Sequence, residues 1–156
     1  MSIRIVRLGS ARREGEGLRV GTVRRPPRGV PKERYAADDW YDVWLPQLAP
    51  SAELVKRARA ASTEAEWRSF AKSYRAEMAA PDNDRLIALL AAFSHQTELA
   101  VGCYCEDESR CHRSLLRELL GEPPPGRRIA GSRAVLPLDP RCGRLYSPPL
   151  ALAFGA

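Results

Sequence analysis

Several things are scarce in this chain. Cysteine occurs only four times and histidine twice. That is too little for a disulfide-knit secreted scaffold, and it leaves few candidates for imidazole chemistry. No run approaches the roughly 20 apolar residues of a membrane-spanning helix. The opening Met1-Ser2-Ile3-Arg4-Ile5-Val6-Arg7 lacks the apolar core of a secretory signal. A cytoplasmic, non-membrane protein is therefore expected, with its cysteines as thiols or ligands. No collagen period, sustained heptad or internal repeat is present. Lysine is rare too: 22 of the 25 basic residues are arginine, so positive charge is carried by planar guanidinium forks.

What remains is globular composition. The chain has 156 residues, of which 44% are hydrophobic and 28% charged, enough for one domain with its own core. The formal net charge is +6, unevenly spread. Residues 1–34 carry ten basic and three acidic residues, 35–109 carry seven and thirteen, and 110–156 carry eight and three. If the fold brings the ends together, one basic surface results, suited to a phosphate-bearing partner.

The pattern along the chain alternates strand and helix. Residues 3–8 are β-branched and partly alternating, which predicts a first strand; 18–24 predict a weaker second. The Pro-rich stretch 24–31 predicts an extended basic loop. The aromatic-acidic stretch 38–45 reads as a short helix or loop. Ser51 is placed to cap a helix with Leu54, Val55 and Ala58 on one face. Thr63 and Glu66 form a capping-box pattern before the stripe Trp67, Phe70, Tyr74, Met78. Pro81 is expected to stop that helix. Asp82 or Asn83 should cap the next, with Leu86, Leu89, Leu90 and Phe93 buried, and His95 caps its far end. Residues 97–105 read as a buried parallel strand. Residues 112–120 form a helix ended by Gly121 and Pro123. This order predicts an α/β fold: a single-domain three-layer sandwich, with a mainly parallel sheet, helices on both faces and 97–105 central. Residues 122–156 read as a Pro-rich C-terminal extension, with one strand at most near 133–138 and an incidental Cys142.

One segment concentrates chemistry. Cys103-Tyr104-Cys105 ends the central strand, Glu106 to Arg110 form a charged loop, and Cys111-His112-Arg113 opens a helix. Ligands of open α/β sheets bind outside the carboxyl ends of strands, and a helix N-terminus offers free N–H groups to anions. The first reading is thus binding of a nucleotide or nucleic-acid phosphate, with Arg113 as the main side-chain contact and His112 secondary. Arg24 and Arg28 would join if their loop lies near. A second is thiol chemistry, with Cys111 activated at the helix start and Cys105 resolving it. A third is zinc on Cys103, Cys105, Cys111 and His112. Two thiols on one strand face stand about 6–7 Å apart and neighbouring helix residues diverge, so no metal or other cofactor is expected. A phosphatase loop would need Arg six residues after its Cys; from Cys105 that position is Cys111, and the spacing fails. The bland reading is a self-capped loop, in which Glu106, Asp107 and Glu108 cap the helix and pair with Arg110 and Arg113. A last reading makes Trp40, Tyr41 and Trp44 an exposed aromatic anchor of a protein-interaction module.

The run Cys111-His112-Arg113-Ser114-Leu115-Leu116, after a strand ending in cysteines, resembles the bacterial domain-of-unknown-function family 488. Pro27-Arg28-Gly29, Asp38-Asp39-Trp40, Phe70 and Tyr74 are similar to its YeaO-like branch. That branch usually carries Asp-Arg-Leu-Trp before Pro-Arg-Gly, where this chain has Val23-Arg24-Arg25-Pro26. The likeness covers residues 1–121. It implies an α/β sandwich and no particular reaction.

Overall fold

In a computed structural model, which describes residues 3–121, four strands form one sheet. They are β1 (Ile3–Arg7), β2 (Leu18–Gly21), β3 (Val43–Trp44) and β4 (Leu99–Cys103). The spatial order is β1-β4-β2-β3, and every neighbouring pair is parallel. Residues 99–103 are all buried, as expected of a strand with a partner on each side and cover on both faces. The extension 122–156, with its expected strand and Cys142, lies outside the described residues.

Of the four α-helices, the first two follow the capping signals closely. Ser51 Oγ accepts from Leu54 N–H at 3.3 Å and starts α1 (Ala52–Ala60). Thr63 and Glu66 close a reciprocal capping box on α2 (Glu64–Met78), at 3.2 and 2.9 Å. α3 spans Pro81–Phe93 and α4 His112–Gly121. All four pack on one face of the sheet. Leu54, Phe70, Tyr74, Met78, Ile87, Leu90, Leu115, Leu116 and Leu120 share a core with Val20, Leu99 and Val101.

Four expectations need correction. Pro81 does more than stop α2: it is the first residue of α3, where its missing N–H costs nothing, and Asp82 and Asn83 do not cap. Leu89 and Phe93 are half exposed, because α3 turns Ile87 and Leu90 inward instead. The stretch 38–45 contains the short strand β3, whose two residues are too few to show a period. The second face of the sheet carries irregular chain rather than α-helix: loops after β1 and before β3, with one 3-10 turn at Lys32–Arg34.

That loop layer is anchored by a buried ion pair. Arg19, fully buried on β2, donates through Nε and Nη2 to Glu16 at 2.6 and 2.9 Å. Its Nη1 donates to the carbonyls of Ser10 and Asp39. Asp42 accepts from the Arg19 backbone N–H and, through both oxygens, from Arg12. A buried guanidinium is tolerable when paired and hydrogen-bonded in this way. Its partners reach back to the loops that follow β1 and precede β3.

Candidate functional site

Because every strand is parallel, all carboxyl ends lie at one edge. The loops after β1, β2 and β4 therefore meet there. The sulfurs of Cys103 and Cys105 are 3.6 Å apart, not 6–7 Å: β4 ends at Cys103, and beyond it the chain leaves the strand geometry. Cys111 Sγ lies 3.8 Å from His112 Nδ1, so these neighbours converge rather than diverge. The ligand atoms of Cys103, Cys111 and His112 all lie within 4.8 Å of one another. These residues could hold a metal ion, and the geometric ground for expecting none is overturned. Cys103 and Cys111 are buried, whereas Cys105 is exposed.

The three thiols share their protons unequally. Hydrogen bonds from Cys103 and then Cys111 hold the Cys105 thiol well below its ordinary range, and the charge of Arg113 helps. Cys103 and Cys111 are raised, chiefly as donors within the cluster and further by burial. The directions favour Cys105 over Cys111 as the more acidic thiol, against the expectation that the helix start lowers Cys111, whose sulfur is buried and donates within the cluster.

Behind the thiols, His112 is buried, and desolvation pushes its pKa down to about 4. The ring is neutral at pH 7. Its Nε2 lies 2.8 Å from the Thr22 carbonyl, to which it donates, so Nδ1 faces Cys111 with a free lone pair. Thr22 Oγ1 donates to the Gly102 carbonyl at 3.0 Å, tying β2 to β4 at the same point. The Tyr74 ring meets His112 edge-on at 5.7 Å.

Arg113 is only 3% exposed. Its Nη1 donates to the carbonyls of Val6 and Cys103 at 2.8 and 3.2 Å, and Nη2 to that of Glu106 at 3.2 Å. Nε is buried without a partner. The guanidinium clamps the ends of β1 and β4 to the loop, which occupies the donors that the phosphate reading assigns to it. The carboxylates pair elsewhere than expected: Glu106 with Arg7 and Glu108 with Arg117, both at 2.9 Å, while Asp107 accepts from Ser109. Arg110 lies over Trp67 and reaches Glu64.

The basic loop after β2 comes to this edge. Tyr104 Oη donates to the Arg25 carbonyl at 3.0 Å. Arg24, Arg25 and Arg28 are all exposed. Arg24 Nε donates to the Pro50 carbonyl at 2.8 Å. Arg25 and Arg28 have no ion-pair partner among the described residues. Trp40 is half buried, edge-on to Tyr104 at 5.9 Å and packed over Gly9, where a Cβ would meet its ring at 2.9 Å. Tyr41 is buried, and its pKa is raised to about 12 by desolvation. Trp44 on the edge strand β3 remains 40% exposed. Of the aromatic anchor, only Trp44 is therefore substantially exposed, and its indole N–H donates to the Val23 carbonyl at 2.6 Å.

Sequence reasoning passed over Thr22, Arg25 and Tyr104. The position of Tyr104 between two candidate cysteines was the available signal for it. Thr22 and Arg25 carried none, since their contacts depend on β2 and β4 being neighbours.

No curated protein and no solved structure matches the chain. A family model does: DUF488-N3a, described as the active DUF488-N3 subclade, matches residues 3–123. That span takes in all four strands, all four α-helices and the whole cysteine cluster. The chain belongs to the DUF488 family.

Proposed function

We propose that this chain is an enzyme whose reacting group is the Cys105 thiol and whose ligand carries a phosphate, as a nucleotide or a stretch of nucleic acid. One observation carries the reading. The residue beside Cys105 is hydrogen-bonded into the basic loop, Tyr104 Oη to the Arg25 carbonyl at 3.0 Å. That bond ties the loop that carries the exposed Arg25 and Arg28 to the segment that presents the exposed Cys105 thiol. The Cys105 thiolate, its proton already given up to solvent, attacks an electrophilic centre of the ligand. The bond from that centre to its leaving group breaks, the leaving group departs with the electron pair and takes a proton from solvent, and the arginines hold the ligand's phosphate as planar forks. Arg24, tied to Pro50, fixes the loop's root. His112 and Arg113 position the turn from behind, and Cys103 and Cys111 donate S–H bonds to the reacting sulfur. The start of α4 adds backbone N–H groups suited to an anion. That the matching subclade is described as active is in keeping with an enzymatic reading.

The test is competitive alkylation of the intact, reduced protein at neutral pH, read by peptide mass spectrometry. Cys105 is expected to react first, with Cys103 and Cys111 spared. Nucleotides or short oligonucleotides should slow that reaction and raise Tm. A ligand at 100 times its Kd adds about 2.7 kcal/mol. The double variant Arg25→Ala/Arg28→Ala should lose the protection while keeping the fast thiol. Preferential labelling of Cys111 would remove Cys105 from its role. A panel of phosphate-bearing compounds that gives neither protection nor a Tm shift would reject the ligand class.

A further inference from the structure

We propose that Cys103, Cys105, Cys111 and His112 form a binding site for one zinc-class divalent ion, independent of whether Cys105 also performs chemistry. A tetrahedral site with metal–sulfur bonds of about 2.3 Å places its sulfurs about 3.8 Å apart. The Cys103 and Cys105 sulfurs are already 3.6 Å apart, and Cys111 Sγ is 3.8 Å from His112 Nδ1. The ligand atoms of Cys103, Cys111 and His112 lie within 4.8 Å of one another, so small side-chain rotations would bring them around one point.

The second support is the arrangement around the imidazole. Metal-binding histidines characteristically donate their other ring N–H to a carbonyl or carboxylate, which fixes the tautomer. Here Nε2 donates to the Thr22 carbonyl at 2.8 Å, leaving Nδ1 unprotonated toward the sulfurs. Three sulfurs and one imidazole are soft donors that favour zinc over calcium or magnesium. Charge also balances. Three thiolates and a dication leave a net of −1, beside the buried guanidinium of Arg113, which is hydrogen-bonded to the Cys103 carbonyl at 3.2 Å. Binding releases the thiol protons to solvent and oxidises nothing. Exposed Cys105 is the entry side. An ion held here engages that sulfur, so metal and alkylating reagent compete for it.

The test uses the full chain, reduced and stripped with chelator, titrated with Co2+ as a spectroscopic probe. One equivalent is expected to give thiolate-to-cobalt charge-transfer absorption and tetrahedral d–d bands, both abolished by one equivalent of Zn2+. Loading with Zn2+ should also block alkylation of Cys105. Cys103→Ser should weaken cobalt binding at least tenfold. Because Cys103 is buried, Cys105→Ser at the exposed position serves as the second variant, and it should weaken binding by a similar factor. An octahedral cobalt spectrum, the absence of a charge-transfer band, or undiminished affinity in Cys105→Ser would overturn the site. Slow or unselective alkylation in the metal-free protein would count against Cys105 as the reacting group and leave the cobalt result standing.

Discussion

Arg113 has its weight where function and folding meet. Three carbonyls from three separate segments depend on its fork, and each buried carbonyl left bare costs about 1–3 kcal/mol. Arg113→Ala is therefore expected to lower the urea midpoint strongly, with little change in m-value. Arg113→Lys should not restore it, because an ammonium cannot span carbonyls on two strands and a loop at once. Arg28→Ala, at an exposed guanidinium, should change stability by less than about 0.5 kcal/mol. The sequence located the Cys111-His112-Arg113 turn as the site, since a cluster of rare residue types is a local signal. It did not disclose that Arg113 is spent on the Val6 carbonyl, 107 residues away in the chain. The close approach of Cys103 to Cys105 was hidden for a related reason. The two sulfurs meet only because β4 ends between them.

At the level of elements, the loop that leads into β2 sets a tight steric condition. Gly17 has φ +73°, and a Cβ there would run into the carbonyl of Glu98, whose oxygen accepts from Leu18 N–H at 3.1 Å. Gly17→Ala adds left-handed strain to a backbone clash and should cost about 2–4 kcal/mol. Gly15, at φ +66°, faces open space. Gly15→Ala isolates the strain alone and should cost only about 1 kcal/mol. The difference between the two variants in thermal unfolding measures the clash. The regular elements were largely legible: the capping box at Thr63, the Ser51 cap and the unbroken apolar run of β4 are local patterns. The rotation of α3, which leaves Leu89 and Phe93 half exposed, was not. Its residues carry apolar groups around more than one stripe, and only contact with neighbouring helices selects Ile87 and Leu90. Two-residue β3 lies below the length at which periodicity can speak.

For the molecule as a whole, acid is the expected weakness. Glu16 and Asp42 are both held below their ordinary carboxyl range, against the cost of burial, by hydrogen bonds from Arg19 and Arg12 respectively. A depressed carboxyl contributes stability in full above its unfolded pKa of about 4, and loses it as pH falls through the folded value. Stability should thus begin to fall below about pH 6.5, where His112 takes up a proton in the unfolded chain but stays neutral when buried down to about pH 4. It should decline further below about 4 as Glu16 and Asp42 protonate. Glu16→Gln should unfold more readily at pH 7 and show a shallower decline in acid, read from chemical denaturation across pH. An acid limb identical to that of the parent chain would show that the Glu16–Arg19 pair does not govern it. The parallel sheet was legible as a class. The loop layer on its second face was not, because it is fixed by Arg19 reaching Glu16, Ser10 and Asp39, and a sequence lists those residues without joining them.

The strand order also sets a timetable for synthesis. β1 and β2 are consecutive in the chain, yet they do not touch; β4 stands between them, with Leu99 opposite both Ile3 and Leu18. No central pairing can form until residue 103 has left the ribosome. At about 5–20 residues per second β1 waits several seconds without a partner, and β2 with only the two-residue β3 beside it. The apolar edges of residues 3–7 and 18–21 are then the segments most open to capture by other chains or by a chaperone. The cysteine cluster closes later still, when His112 and Arg113 arrive, so every nascent molecule passes through a stage in which its thiols are unpaired and accessible.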